Sequence, residues 1–193
     1  MAAHSFPVTG DPDADALLVD DPFARLLGML LDQQITMEMA FAAPARLRER
    51  LDGKLDPATV VSMDPDDFDA RFRAKPALHR FPGSMSKRVR AVAQVIVDDY
   101  DGDTERIWTE AADGAELFTR LRALPGFGDE KARIFVAVLA KRFDVRPSGW
   151  EEAAGPFADD TPRSVADIDS AESLARVRAW KKEQKAKGLG KSD

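Results

Sequence analysis

Apolar residues recur at three- and four-residue spacing along most of the chain, the pattern of helices that bury one face. In "PFARLLGMLLDQQ", residues 22–34, Phe23, Leu26, Leu27, Leu30 and Leu31 form such a stripe. Asp21 stands as its cap and Pro22 suits a first helical position. Thr36 is the expected cap of "MEMAFAAPARLRERL", where Pro44 is a candidate kink. "DPATVVSM" and "DPDDFDARFRA" each open on Asp-Pro and read as short helices. Val89, Val92, Ala93 and Ile96 line one face of "KRVRAVAQVIVDDY", whose period is helical despite its β-branched residues; Ser84 or Ser86 is the expected start. Asp113 precedes "GAELFTRLRAL", with Leu117, Leu121 and Leu124 toward the core. After Pro156, "FADDTPRSVADI" reads as a connector. "DSAESLARVRAWKKEQKAK" then reads as one more helix, capped by Asp169 or Ser170, with a polar end expected to fray. No segment reads as a strand. The expected fold class is all-α.

Composition narrows the chemistry. The 193 residues suffice for one domain with a proper core. There is no cysteine, which excludes disulfides, thiolate zinc sites and cysteine-ligated iron–sulfur clusters, and the two histidines, His4 and His79, are too far apart for a usual metal site. "DDYDGD" (98–103) gathers acids but lacks the spacing of a calcium loop, and no metal is expected. No apolar run approaches the roughly 20 residues of a membrane span. The first residues lack a basic start followed by an apolar run, so the expectation is a cytoplasmic protein with no membrane contact.

Charge is unevenly placed. The net charge is −6, and residues 11–24 hold five Asp and no base. Residues 70–97 hold seven Lys or Arg and no acid. A basic centre between acidic flanks suits a phosphate-binding face; a solvated helix face explains it as well.

The most informative stretch is "LRALPGFGDEKARIFVAVLAKRF", residues 121–143. One helix stops at Leu124, turns through Pro-Gly-Phe-Gly, and a second starts near Gly128. Gly126 and Gly128 admit conformations other residues resist, and they let the chain approach a partner closely. The first amides of the second helix lack intrahelical acceptors and sit at the positive end of its dipole, an arrangement that holds phosphate. A tight connection between antiparallel helices needs only one glycine, so the second asks for another reason.

The string Leu-Pro-Gly-x-Gly followed by Lys131 and Ala132 resembles the signature of the helix-hairpin-helix (HhH-GPD) DNA glycosylases, a superfamily that includes endonuclease III and the 3-methyladenine glycosylases. Upstream, "LLGMLLDQQITMEMAF" is similar to the family's early helix with its Gln-containing turn, and "FPGSMSKRVRAVAQVIVDDYDGD" to its basic helix before the hairpin. The resemblance implies a two-lobed helical fold. Residues 17–157 would form the core with the hairpin at 113–142, residues 1–16 an N-terminal segment, and 158–193 a connector, helix and polar tail. It implies a monomer that binds damaged double-stranded DNA, without cofactor and, lacking cysteine, without the iron–sulfur cluster of part of the family. Gln33 or Gln34 would fill the gap left by an extruded nucleotide. Gly126, Gly128 and Lys131 would hold phosphate, with Ser86, Lys87 and Arg88 as further contacts, while Trp150 and His79 are candidates for the base pocket.

The resemblance fails where the chemistry belongs. Members with lyase activity carry a nucleophilic Lys two residues after the last hairpin Gly; here that residue is Glu130, and Lys131 is one place, about 100° of helix, further on. This matches the monofunctional branches, in which water attacks. The family's essential Asp, which stabilises the sugar cation, falls on Ser148 when counted without gaps. Ser148 and Glu151 read as a capping box, so the expectation is a helix start without its acid. Asp144 and Glu151 are the candidate replacements. An excising glycosylase, a relative that binds damaged or abasic DNA without excision, and a helical scaffold for a protein partner all remain open.

Overall fold

The computed structural model describes residues 4–191, and within them every regular element is helical. The first three residues, and Ser192 and Asp193 of the expected polar tail, lie outside the described residues. In chain order the helices are α1 (Pro12–Asp20), α2 (Pro22–Leu31), α3 (Met37–Arg50), α4 (Pro57–Ser62), α5 (Pro65–Arg73), α6 (Pro82–Tyr100), α7 (Arg106–Thr109), α8 (Gly114–Arg122), α9 (Asp129–Phe143), α10 (Trp150–Ala154) and α11 (Ala171–Lys187). The chain divides into two compact units. One is Thr9–Ile107 with Leu124–Gly126; the other holds the residues up to Val8, Trp108–Ala123 and the chain from Phe127 onward.

In the first unit α2 is the centre, packed by α1, α3 and α6, and all its residues from Phe23 to Leu31 are buried. Gly28 brings the Phe41 ring of α3 onto the α2 backbone, where a Cβ would collide with it. The helices start where short polar side chains satisfy orphan amides: Asp11, Asp21, Asp56 and Asp64 each cap a helix whose first residue is proline, and Thr36 caps α3. Pro44 is accommodated inside α3. The basic helix departs from expectation. It begins at Pro82, whose fixed φ and missing amide suit a first helical position, rather than at Ser84 or Ser86, and Phe81 at the cap has no side-chain acceptor to offer.

Arg25 is the one basic residue of α2, and it is buried. Its Nε donates to Leu18 O (3.0 Å) and its Nη2 to Val19 O (2.7 Å), which completes the open carbonyl end of α1. Burial pulls its pKa down to about 10.

In the second unit α9 is the core. Ile134 through Ala140 are buried without interruption, so this helix is apolar on every side rather than on one stripe. It is covered by α8, α10 and the 3-10 turn Val165–Asp167. A buried pair, Lys141 Nζ to Asp167 Oδ1 at 2.7 Å, fastens that turn to the C-terminal end of α9. α11 is helical through Lys187, where Gly188 ends it in the left-handed conformation.

Replacing Arg25 with Met leaves the buried Leu18 and half-buried Val19 carbonyls without its donors. The expected cost is about 2–4 kcal/mol in urea unfolding. A midpoint equal to the parent's would show that this corner is held by packing alone.

Candidate nucleic-acid interface

The hairpin is built as the glycine pattern requires, but the two glycines do different things. Gly126 has φ +85, and a Cβ there would meet Leu30 Cδ1 at 2.8 Å and Arg88 Cδ at 3.3 Å. The turn therefore lies directly on α2 and on the stem of Arg88. Gly128 has φ −96, an ordinary extended value, and nothing lies within 4 Å of where its Cβ would be. No conformational reason demands glycine at 128; its missing side chain leaves the approach to α9 open. Gly128 is the N-cap of α9, and no side-chain hydrogen bond caps the helix.

Phe127 anchors the turn by packing edge-on to Phe135, with ring centres 6.3 Å apart. The Lys131 ammonium lies 5.8 Å above the Phe127 ring and so is held back toward the turn. The first turn of α9 also carries Asp129 and Glu130. Asp129 pairs with Arg122 of α8, and Glu130 lies 3.8 Å from the ammonium of Lys191.

The Gln pair sits in the turn between α2 and α3. Gln34 is exposed and left-handed (φ +56), whereas Gln33 is half-buried, with Nε2 donating to Met85 Sδ at 3.1 Å. His79 holds this turn. Its Nδ1 accepts from the Phe81 amide (3.0 Å), which leaves Nε2 as the protonated nitrogen, 3.1 Å from Gln33 O and 3.2 Å from Leu31 O. The expectation that His79 serves a base pocket is therefore corrected: it is 2 % exposed and both ring nitrogens are spent on backbone.

Ser86 is corrected in the same way. It lies inside α6, 1 % exposed, with its hydroxyl 2.5 Å from Asp69 Oδ1 and 3.1 Å from Gly83 O. The Ser86 hydroxyl, and after it the Arg73 guanidinium, hold the Asp69 carboxyl below the usual carboxylate range. It fastens α6 to α5 and offers nothing to a phosphate. Lys87 is exposed and Arg88 half-buried.

The α10 start differs from a Ser148–Glu151 capping box. Gly149, at φ +74, is the N-cap, and no side chain caps the helix. Ser148 instead uses its carbonyl, which accepts from Gly114 N–H at 2.8 Å. Gly114 is pressed so closely on the Gly149 backbone that no Cβ fits there. Beside this contact is a cavity of about 450 Å³ whose lining includes Ser148, Glu152, Asp113, Phe118 and Arg133. Arg133 stacks on Phe118 at 5.0 Å and donates to Ala153 O at 3.0 Å. Neither expected acid is among the lining residues: Asp144 is an exposed left-handed cap of α9, 3.4 Å from Arg146, and Glu151 is exposed in the first turn of α10. Trp150, half-buried, opens α10 and likewise does not line the cavity.

Residues 27–191 match the HhH-GPD superfamily of base excision DNA repair proteins. The chain belongs to that superfamily. Two solved structures of endonuclease III with DNA, a trapped covalent intermediate in an estranged-adenine complex and a non-covalent complex, are similar to it at 17% identity and a TM-score of 0.46. Each alignment covers 93% of this chain and 75% of the endonuclease chain. No curated protein matches.

Against the superfamily's hairpin, two residues stand out that sequence reasoning passed over. Phe81, 42 % exposed beside the His79-held turn, is a large apolar side chain left in solvent, with Arg80 5.4 Å over its ring. Glu152, an acid four residues after Ser148, was set behind Asp144 and Glu151 in the sequence, yet it lines the Ser148 cavity where they do not.

The two glycines separate structure from binding. Gly126→Ala is expected to cost about 2–3 kcal/mol, from left-handed strain and the Leu30 clash. Gly128→Ala is expected to stay within about 1 kcal/mol of the parent in stability while weakening duplex DNA binding roughly fivefold or more. Thermal melts and fluorescence anisotropy on the same samples check both; unaltered DNA affinity in Gly128→Ala would remove the hairpin amides from the interface.

Proposed function

We propose that this superfamily member is a monofunctional DNA glycosylase. It binds damaged duplex DNA, takes one nucleotide out of the stack, and hydrolyses its N-glycosidic bond with water as nucleophile. The observation that carries this reading is the open, uncapped start of α9 behind Gly128, in a hairpin that has Glu130 rather than Lys where a Schiff-base nucleophile would stand.

The roles follow from the chemistry. Backbone amides at the hairpin, aided by Lys131, hold a phosphate without reading sequence. Lys87 and Arg88 add charge on α6. Gln34, the exposed member of the pair, is the wedge, and its amide group pairs with the orphaned base while Phe81 supplies an apolar face. As the base leaves, electrons of the glycosidic bond pass to it and positive charge develops on the sugar. A carboxylate near that charge stabilises it, and the water that attacks C1′ gives up a proton. We assign the carboxylate to Glu152, which lines the Ser148 cavity, ahead of Asp144 and Glu151. No metal, iron–sulfur cluster or other cofactor enters this scheme.

A second reading has an observation of its own. Ser148 puts a hydroxyl where the superfamily's acid is expected, and Asp144 is turned to Arg146. On that reading the protein would bind damaged or abasic DNA and leave it intact.

Incubation with duplexes carrying uracil, hypoxanthine, 8-oxoguanine, ethenoadenine or methylated purines, followed by alkali, separates the readings. The expected result is strand breaks at one lesion only after alkali, and a loss of at least about 100-fold in Glu152→Gln with Asp144→Asn and Glu151→Gln near parental. Breaks without alkali, or a borohydride-trapped adduct, contradict water as the nucleophile. No breaks with tight binding to an abasic analogue establish the second reading. No salt-sensitive affinity for any duplex leaves only a protein-binding scaffold.

A further inference from the structure

Residues 176–191 carry seven Lys or Arg against a single acid, Glu183, in a chain whose net charge is −6. The buried residues of α11 are Ser173, Leu174 and Val177, all in its first half. Beyond them Trp180, Lys181 and Gln184 are half-buried, and the Arg163 guanidinium lies 5.7 Å over the Trp180 ring. The second half of the helix is thus a basic rod at the surface. At about 100° per residue, Arg178, Lys181, Lys182 and Lys185 share an arc of about 100°. That arrangement places like charges four apart twice, Arg178 with Lys182 and Lys181 with Lys185, which opposes helix formation.

The end of the helix is tied to the hairpin. After Gly188, the Leu189 amide donates to Gln184 O at 3.0 Å and turns the chain. Lys191 is then held at both ends: its carbonyl is 3.5 Å from Arg163 Nη1 and its ammonium 3.8 Å from Glu130 in the first turn of α9. Glu130 suits the helix dipole but repels a phosphate arriving at the same amides. Lys191 offsets that charge on one side as Arg122 offsets Asp129 on the other.

We propose that the basic half of α11, with Lys191, continues the phosphate-binding track that starts at the hairpin. It would hold duplex DNA by backbone phosphates beyond the one at α9. This rests on the DNA-binding part of the reading above and is independent of excision.

The test is fluorescence anisotropy of the full chain with an undamaged duplex across a range of KCl concentrations. The parent compares with Lys181→Gln/Lys182→Gln/Lys185→Gln and with Arg176→Gln/Lys187→Gln on another face of the same helix, each with a parental melting curve. The first set is expected to lose tenfold or more in affinity and to flatten the slope of log K against log salt by about 2–3, near 0.9 per lost phosphate contact. The second set should change the slope by less than about 0.5. Lys191→Gln should also weaken binding, and Glu130→Gln added to it should restore most of the loss, a rescue that mere tail packing does not produce. A parent slope retained by the triple variant, or an equal loss from both sets, overturns the track while DNA binding stands. A parent with no salt-sensitive binding overturns the DNA reading itself.

Discussion

The burial of α9 is the constraint on which the hairpin's unit depends. A helix apolar on all sides, from Ile134 to Ala140, has no freedom to rotate or slide without exposing large side chains. Its rigid position fixes where its two ends emerge. The C-terminal end is held by the buried Lys141–Asp167 pair and by Asp144 in the left-handed conformation. The N-terminal end is left uncapped behind a glycine with open space around it. The end of a mobile helix would fray; the fixed position of α9 holds this one in place.

The other unit applies the same logic to a turn. Gln34 is exposed in a left-handed conformation that a non-glycine residue adopts only when its surroundings impose it. His79 imposes it by holding the Leu31 and Gln33 carbonyls, and Met85 takes the Gln33 amide. The buried polar groups near the basic helix, His79 and Ser86, therefore support residues that face outward rather than facing outward themselves.

Much of this was legible in the sequence because helix starts are local. Asp21–Pro22, Asp56–Pro57 and Asp64–Pro65 each announce a cap and a first residue, and the structure begins α2, α4 and α5 there. Asp11–Pro12 carries the same signal, yet α1 was hidden in a stretch read for its charge. The hairpin was legible because its glycines and spacing are contiguous. What stayed illegible is non-local. That Ser86 meets Asp69 depends on α5 lying against α6, and the Ser148 cavity exists only because α8 and α9 pack against α10. The Ser148 capping box was a plausible local pattern that lost to Gly149, whose φ of +74 turns the chain one residue later than a serine cap would.

The first amides of α9 are proposed to hold a DNA phosphate, and amide-resolved NMR titration with a short duplex tests this most directly. The Asp129, Glu130 and Lys131 amides are expected to shift on adding DNA, and the shifts to fade as salt is raised. Unmoved amides at these three positions, under conditions where the duplex is bound, would contradict it.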